Sequence, residues 1–359
     1  MTEYKTIEEI AADVNKKLGD EFVVVGSAAK KEIPRITTGI LSYDLALGGG
    51  WAENQWNEIV GEESSGKTAI AYQTIAANQE ADPDFIAMWV AAEEYVPSYA
   101  AAFGVDTDRL WVIETNEMEI ALETVLKAVE NRAVDLVVVD SIPALVTLTE
   151  VDKAMGEASI ATGAKLLSNF FKKSAKAQRR SLTEDERGCT MIAINQWRDA
   201  IGVMFGDPRT TPGGKAKNYF FFTRMELRRD DWLKDGSAIQ NRVGQVIKCR
   251  VFKNKTYRPQ QVAVVDMYFA SPKGGAFKLG QFDGVKDMTN VALSLEIITR
   301  RGSKYEFGDQ SWIGKEKVFA GVREDLGLQA ELKDAAFALV FKGEGALESE
   351  SDEEWDKGE

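Results

Sequence analysis

The chain contains one stretch that decides its fold, Gly61-Glu62-Glu63-Ser64-Ser65-Gly66-Lys67-Thr68. It matches the phosphate-binding pattern G-x-x-x-x-G-K-[ST] in full, with an apolar run at 56–60 before it and a helical pattern after it. Glycines in such a loop let backbone N–H groups surround phosphates at a helix N-terminus, where the helix dipole also favours anions. We therefore expect an ATP site in which Lys67 reaches the β and γ phosphates and the Thr68 hydroxyl holds Mg²⁺.

Two later runs end in polar residues that can serve a nucleotide. Asp140 follows the apolar run 137–139, which places its carboxylate at the edge of a sheet, where it can position Mg²⁺ and its waters. The alternative is that Asp140 caps a following helix. Asn195 and Gln196 follow the run 191–194. The Gln196 amide can hydrogen-bond a γ-phosphate or a water, and so report the nucleotide state.

Apolar runs alternate with helical patterns from residue 36 to about residue 269. The candidate strands are 56–60, 85–90, 110–113, 136–139, 191–194, 219–227, 246–252 and 262–269. Continuous apolar strands separated by helices indicate an α/β fold, a mostly parallel twisted sheet flanked by helices. The last strands have short connections and should form an antiparallel extension of that sheet.

The flanking segments complete the predicted domain organisation. Residues 1–35 form an arm, with a helix at 6–18 that starts at a Thr6–Glu9 capping box and a strand at 22–25. Such an arm cannot bury much surface alone, so it must dock on its own body or on another copy. The core then covers 36–270, a small α+β domain covers 271–342, and an acidic tail covers 343–359.

Composition excludes several kinds of chemistry. The chain has no histidine, so Ser-His-Asp catalysis, Cys-His catalysis and His-ligated metal sites are excluded. Cys189 and Cys249 lie in apolar runs and form no spaced metal set, which favours a reduced pair in the cytoplasm. No secretory signal opens the chain and no apolar run has the length of a membrane span, so we expect no membrane association.

The negative charge of the chain is unevenly distributed. The net charge is −13, and residues 344–359 carry eight acids and one lysine, which leaves −6 on the rest of the chain. A terminal block of like charges is typical of a solvated tail. Its role is either solubility or competition with DNA for basic surface elsewhere, and net charge alone does not decide whether the chain binds nucleic acid.

The chain resembles the RecA recombinase family from about residue 17 to about residue 336. The resemblance is densest at 36–50, in the phosphate loop and at Asp140-Ser141. Its most specific part is Asn195-Gln196-Trp197-Arg198, continued by IGVMFGDP at 201–208 and TTPGG at 210–214. The resemblance implies a DNA-dependent ATPase that forms open helical filaments on single-stranded DNA and exchanges strands with double-stranded DNA. Loader and single-strand-binding proteins are the further partners it implies.

The resemblance also assigns DNA-binding residues. Those of the second DNA loop are Arg198, Ile201, Gly202, Gly213, Gly214 and Lys215, with Ile201 wedged between base triplets. A plain flexible surface loop is the alternative. A first loop near 156–160 adds Ile160, and the helix after it adds Lys165, Ser168 and Lys172, which are similar to the family's phosphate-contacting positions. For Lys165 and Lys172 the alternative is a solvated helix face.

The remaining implied residues belong to ATP hydrolysis. The water-polarising glutamate follows the strand at 85–90: spacing from the strand favours Glu93, whereas counting back from Pro97 leaves the assignment one residue short, so Glu94 stays open. Tyr99 resembles the residue that stacks on adenine, with a core tyrosine as the alternative. Lys253 and Lys255 resemble lysines that reach the γ-phosphate of a neighbouring subunit, with a solvated pair as the alternative.

Two other classes of protein share such a core. One is a ring-forming helicase or other DNA motor, and the other is a DNA-coating protein in which ATP is only a switch. The segment 195–214, the small C-terminal domain and the acidic tail favour the filamentous recombinase.

Overall fold

The computed structural model describes residues 4–18, 23–26, 33–151, 160–178, 188–199, 209–214, 216–236 and 241–342. The chain divides into two compact units, Met1–Pro34 and Arg35–Glu359. No helix among the described residues is long and apolar enough to cross a membrane.

The first unit contains helix α1 (Ile7–Leu18). The predicted capping box is confirmed: the Thr6 N–H donates to Glu9 Oε2 over 2.9 Å, and the Glu9 N–H donates to Thr6 Oγ1 over 3.3 Å. The predicted strand at 22–25 is wrong for the described residues 23–25, which pair with no strand. A strand needs a partner, and here Val23 instead exchanges two hydrogen bonds of 2.9 Å with the side chain of Asn15.

The second unit contains the remaining elements, numbered in chain order. The strands are β1 (Arg35–Ile36), β2 (Trp51–Ala52), β3 (Trp56–Gly61), β4 (Ala87–Ala91), β5 (Leu110–Ile113), β6 (Leu136–Asp140), β7 (Thr190–Asn195), β8 (Arg198–Asp199), β9 (Arg209–Thr210), β10 (Thr223–Lys234), β11 (Arg242–Asn254), β12 (Gln261–Tyr268), β13 (Thr299–Arg301), β14 (Lys304–Phe307) and β15 (Gln310–Ile313). The helices are α2 (Leu41–Leu47), α3 (Lys67–Ala81), α4 (Pro97–Ala102), α5 (Met118–Glu130), α6 (Leu148–Val151), α7 (Ile160–Gln178), α8 (Lys217–Phe220), α9 (Gly284–Ser294), α10 (Lys315–Glu324) and α11 (Leu326–Lys342).

One eight-stranded sheet organises this unit, with the order β12-β11-β10-β3-β7-β6-β4-β5. Strands β10, β3, β7, β6, β4 and β5 run parallel to their neighbours in this order, whereas β11 and β12 are antiparallel. The predicted α/β sheet with an antiparallel extension is therefore confirmed. Because β3, β4, β6 and β7 are parallel, the residues that follow their carboxyl ends meet at one edge of the sheet.

The core explains why the parallel strands are continuously apolar. Along β6, Val138 packs into the hydrophobic cluster on one face of the sheet, whereas Val137 and Val139 pack into the cluster on the other face. Both faces are covered, so alternation of apolar and polar residues is lost. A separate cluster around Val318 and Leu332 holds together the helices and the small sheet β13–β15 of the C-terminal segment.

The predicted strand at 219–227 is wrong at its beginning. Residues 217–220 form helix α8, and β10 begins only at Thr223 but continues to Lys234. The aromatic run favours a strand by propensity. Tertiary packing overrides that preference, because Phe220 stacks on Phe171 of α7 at 5.6 Å and Phe221 packs edge-on against the same ring at 5.4 Å.

Candidate functional site: a nucleotide cavity at the edge of the sheet

The phosphate loop connects β3 to α3 in a conformation that requires its glycines. Gly66 has φ +92°, and a Cβ there would clash with Ile247 Cδ1. A Cβ on Gly61 would clash with the Leu227 carbonyl oxygen on the neighbouring strand. Within the loop, Ser65 Oγ is buried and has no hydrogen-bond partner. An orphaned hydroxyl in a glycine-rich loop at a helix N-terminus fits a phosphate oxygen as its missing partner.

Lys67 begins α3 and is largely buried. Its Nζ donates to the Glu62 carbonyl oxygen over 2.5 Å. Burial lowers the pKa of Lys67, and the nearby carboxylates of Asp140, Glu93 and Glu63 oppose that shift. The ammonium is therefore held over the loop that surrounds the expected phosphates.

Thr68 and Asp140 meet across the site. Thr68 Oγ1 donates to Asp140 Oδ2 over 2.8 Å. The pKa of Asp140 is raised to about 6, mainly by burial. The hydrogen bond from Thr68 and the charge of Lys67 oppose this rise, whereas the charge of Glu93 adds to it. Asp140 caps no helix, since the short 3-10 turn Ile142–Ala144 that follows has Ser141 as its N-cap residue. A hydroxyl and a carboxylate side by side form the oxygen donor set that Mg²⁺ takes.

Glu93 faces the same cavity from the end of β4. Ser141 Oγ donates to Glu93 Oε1 over 2.6 Å, which fixes the carboxylate beside the end of β6. Glu93 lines the cavity together with Gln196, which follows β7. Glu94 is not among the lining residues. Of the two glutamates that the sequence left open, only Glu93 lines the cavity.

The cavity has a volume of about 440 Å³ and a second wall that the sequence analysis did not predict. Tyr99, which was predicted, lines it from α4 and is 37% exposed. Four lining residues that were not predicted lie on or directly after strands β10 to β12: Trp232, Gln245, Met267 and Phe269. Trp232 of β10 pairs with Gln245 of β11, which pairs with Met267 of β12, so three lining residues form one row across the sheet.

Trp232 is also held by two arginines. The guanidinium carbon of Arg229 lies 4.1 Å from the centroid of the Trp232 ring, and that of Arg242 lies 4.2 Å from it. Cation–π contacts at this distance fix the ring as a wall of the cavity. A single signal in the sequence could have indicated it: Trp232 is a large aromatic residue inside a strongly charged stretch, RRDDWLKD at 228–235.

The predicted DNA-binding residues that the structure describes lie on and beside α7. Lys165, Ser168 and Lys172 follow one another at helical spacing; both lysines are exposed and Ser168 is half-buried. Gly213 and Gly214 have φ +91° and +77° and approach α7 so closely that added Cβ atoms would meet Leu167 and Ala164. The end of the second predicted DNA loop is therefore brought against the helix that carries the first set.

Other members of the predicted set are described only in part. Arg198 is exposed and lies in β8, which pairs with β9 to form the base of the second loop. Ile201, Gly202 and Lys215 lie outside the described residues, as does the side chain of Ile160, the first residue of α7.

Lys253 lies far from the phosphate loop of its own subunit. It pairs with Arg224 of β10, whereas Cys249, four residues earlier on β11, pairs with Leu227, the neighbour of Gly61. Since a strand rises ~3.3 Å per residue, about 13 Å along the sheet separate Lys253 from the level of the loop.

Both predicted lysines instead lie over α8. Lys253 Nζ donates to the Asn218 carbonyl over 2.5 Å, and Lys255 Nζ donates to the Tyr219 carbonyl over 3.2 Å. Burial, with the adjacent charges of Lys255 and Arg224, lowers the pKa of Lys253 to about 8. Neither lysine lines the cavity of its own subunit.

Comparisons with known proteins agree with this architecture. The family model described as RecA N-terminal domain matches residues 5–273. A protein named Protein RecA from Trichodesmium erythraeum is 34% identical over 364 residues, covering 99% of this chain and 96% of that protein. The chain belongs to the RecA family.

Other RecA relatives extend the similarity. Protein RecA of Aquifex aeolicus is 37% identical over 318 residues, covering 88% of this chain and 86% of that protein. The chloroplastic DNA repair protein recA homolog 1 of Arabidopsis thaliana is 35% identical over 343 residues, covering 95% of this chain and 74% of that protein.

Membership in the RecA family confirms the predicted class of function. The chain is a DNA-dependent ATPase of recombination and repair that acts in strand exchange.

Proposed function

We propose that this RecA-family protein binds ATP in the 440 Å³ cavity and hydrolyses it within an open helical filament on single-stranded DNA. The observation that carries the proposal is the meeting of four groups at one edge of the sheet: the phosphate loop after β3, Glu93 after β4, Asp140 at the end of β6 and Gln196 after β7. An open edge where parallel strands end is where α/β proteins bind nucleotides.

Each group has a distinct task in the proposed reaction. Lys67 and the loop N–H groups neutralise the phosphates, and Ser65 Oγ supplies one further donor. Thr68 and Asp140 would hold Mg²⁺, which when bound neutralises charge on the β and γ phosphates. Glu93 polarises the attacking water, with its carboxylate oriented by Ser141. The adenine of ATP lies between Tyr99 on one side and the row of Trp232, Gln245 and Met267 on the other.

The proposed DNA surface combines α7 with the ends of the segment 200–208. Lys165, Lys172 and Arg198 supply positive charge, and Gly213 and Gly214 let the backbone approach phosphates. Such contacts are largely independent of base sequence and weaken with salt. That suits a protein that must sample any sequence for homology.

Assembly is proposed to complete the active site. Lys253 lies about 13 Å along the sheet from the level of its own phosphate loop, and Lys255 follows the end of β11, which supports a role for both lysines at the nucleotide of an adjacent copy. A head-to-tail contact between copies that does not close gives an open helical filament. The arm at 1–35, the domain division at 36–270 and 271–342, and the tail at 343–359 remain predictions within this proposal.

We further propose that the protein acts in the cytoplasm and has loader and single-strand-binding proteins as partners. Cys189 and Cys249 are both buried and form no disulfide, in agreement with a reducing compartment.

Electron microscopy tests the assembly directly. The protein is mixed with single-stranded DNA and a non-hydrolysable ATP analogue, and the same sample is assayed for strand exchange with homologous duplex. We expect helical filaments and exchange, and neither with the Lys67→Ala variant. Closed rings would support a DNA motor instead, and filaments without exchange would support a coating protein.

A further inference from the structure

The base of the second DNA loop is tied to the core through a buried carboxylate, Glu226 of β10, which is 1% exposed. Its Oε1 accepts a hydrogen bond of 2.9 Å from Trp197 Nε1, just before β8, and one of 2.7 Å from Arg209, in β9. Its Oε2 accepts from Arg250 over 3.1 Å. The Arg209 guanidinium also lies 4.9 Å from the Trp197 ring centroid. Glu226 Oε1 therefore binds one residue on each side of the segment 200–208.

A second buried carboxylate, Glu58 of the neighbouring strand β3, makes a similar set of contacts. Its Oε1 accepts from Asn195 Nδ2 over 2.9 Å and lies 3.7 Å from Lys217 Nζ. Lys217 is 1% exposed and donates to Thr211 Oγ1 over 2.5 Å. Arg224 Nε pairs with the other oxygen of Glu58 at 2.5 Å. Glu58 thus also holds residues on both sides of the segment 200–208.

Stability alone does not explain this cluster. Removing charges from water costs as much as or more than their pairing returns, and apolar residues of similar volume often replace buried ion pairs without loss of stability. Lys217 illustrates the cost, since burial lowers its pKa despite the adjacent Glu58. What the pairs do provide is directional geometry, because each hydrogen bond fixes one end of the loop relative to β3 or β10.

We propose that Glu58 and Glu226, with Trp197, Arg209 and Lys217, form a loop clamp that holds the ends of the segment 200–208 in the arrangement that DNA requires. These are positioning residues. By fixing Trp197 and Arg209 in advance, the clamp lowers the conformational entropy that these two residues must lose when DNA binds. It therefore sets the affinity for DNA and leaves ATP chemistry at saturating DNA unchanged. This inference rests on the proposed DNA-binding role of the segment.

Two single substitutions test the clamp without removing a buried carboxylate. Trp197→Phe keeps an aromatic side chain, although a smaller one, and removes the indole N–H that donates to Glu226 Oε1. Lys217→Met removes the ammonium, while Glu58 keeps Arg224 and Asn195 as partners. For both variants we expect the concentration of oligodeoxythymidine that gives half-maximal ATPase activity to rise about tenfold, the order of one charge-assisted hydrogen bond. Turnover at saturating DNA should stay within about twofold of the unsubstituted protein.

Two further measurements accompany the titration: thermal unfolding, which checks that the variant is folded, and the salt dependence of DNA affinity. The thermal midpoint of Lys217→Met should fall only slightly, because Arg224 and Asn195 still pair with Glu58 after the ammonium is removed. The slope of DNA affinity against salt should be unchanged, since Lys217 is 1% exposed and offers almost no surface to a phosphate. Lys127→Met is the matched control: its side chain is 69% exposed on α5, and its loss should leave half-saturation unchanged.

The outcomes separate the clamp from the function on which it rests. Weaker DNA affinity at constant turnover supports the clamp. Reduced turnover with unchanged DNA affinity overturns the clamp. The clamp is also overturned if both variants keep normal DNA affinity while Ile201→Ala weakens it. If Ile201→Ala also leaves DNA affinity unchanged, the DNA-binding role of the segment fails, and the clamp fails with it.

Discussion

Thr68 Oγ1 donates a hydrogen bond of 2.8 Å to Asp140 Oδ2, although the two residues are 72 positions apart in the chain. The contact joins the first turn of α3 to the end of β6 at the same sheet edge. It therefore marks the point where the phosphate loop meets its partner carboxylate.

Lys67→Ala should abolish nucleotide-dependent filament formation. No other side chain of the loop is a cation, so the β and γ phosphates lose their positive partner and nucleotide affinity should fall roughly tenfold or more. Equilibrium nucleotide binding and DNA-dependent ATPase activity measure this. Unchanged turnover in the variant would remove the loop from the active site.

Glu93→Gln should retain ATP and DNA binding while lowering turnover by about 10²–10⁴-fold, the range for a positioned acid–base group. The amide keeps the shape of the carboxylate but does not polarise water. Glu94→Gln is the matched control, since Glu94 does not line the cavity. A large loss of turnover in Glu94→Gln but not in Glu93→Gln would show that the assignment is displaced by one residue.

Trp232→Phe should remove the change in tryptophan fluorescence that accompanies nucleotide binding. Trp232 lines the cavity between two guanidinium groups, so a bound base alters the surroundings of its ring. Titration with ADP measures the change. Trp111→Phe is the control, because Trp111 lies on β5, is 66% exposed and does not line the cavity. A signal that survives in Trp232→Phe would place the base elsewhere.

Truncation after Ala346 should strengthen binding to DNA, particularly to duplex DNA, and most at low salt. It removes seven of the eight acids of the tail and so reduces competition for basic surface. Duplex affinity across a salt series measures the effect. Equal affinities of the two proteins at every salt concentration would indicate that the tail serves only solubility.

A mixture of two inactive variants should recover activity if the active site is shared between copies. Lys253→Ala should leave subunits folded and able to bind nucleotide, while filament-dependent turnover collapses because the γ-phosphate loses its partner in trans. Glu93→Gln should be nearly inactive for a different reason. In mixed filaments on single-stranded DNA, some interfaces pair an intact Glu93 with an intact Lys253.

The readout for the mixture is ATPase activity together with proof of co-assembly. Partial recovery is expected because only a fraction of the interfaces is complete. If the two proteins co-assemble and no activity returns, Lys253 and Lys255 act within their own subunit, on DNA or on the local fold.

Much of the site was predictable because each part of it is local. The loop 61–68, Asp140 and Gln196 each follow directly on an apolar strand, so their position is set by the strand that precedes them. The beginning of the predicted strand 219–227 was wrong for the opposite reason. Its aromatic residues satisfy strand propensity, but packing of Phe220 and Phe221 on Phe171 decides their conformation.

The sequence by itself determined the phosphate loop, the parallel core and the family, because a glycine-rich turn between a strand and a helix is specified within a few residues. Only the tertiary structure decided the second wall of the cavity and the loop clamp. Trp232, Gln245 and Met267 become neighbours through the register of β10, β11 and β12. Glu58 and Glu226 acquire their partners only when β3 and β10 lie side by side beneath the ends of the loop. Contacts of this kind depend on the order of strands in the sheet, which no short stretch of sequence encodes.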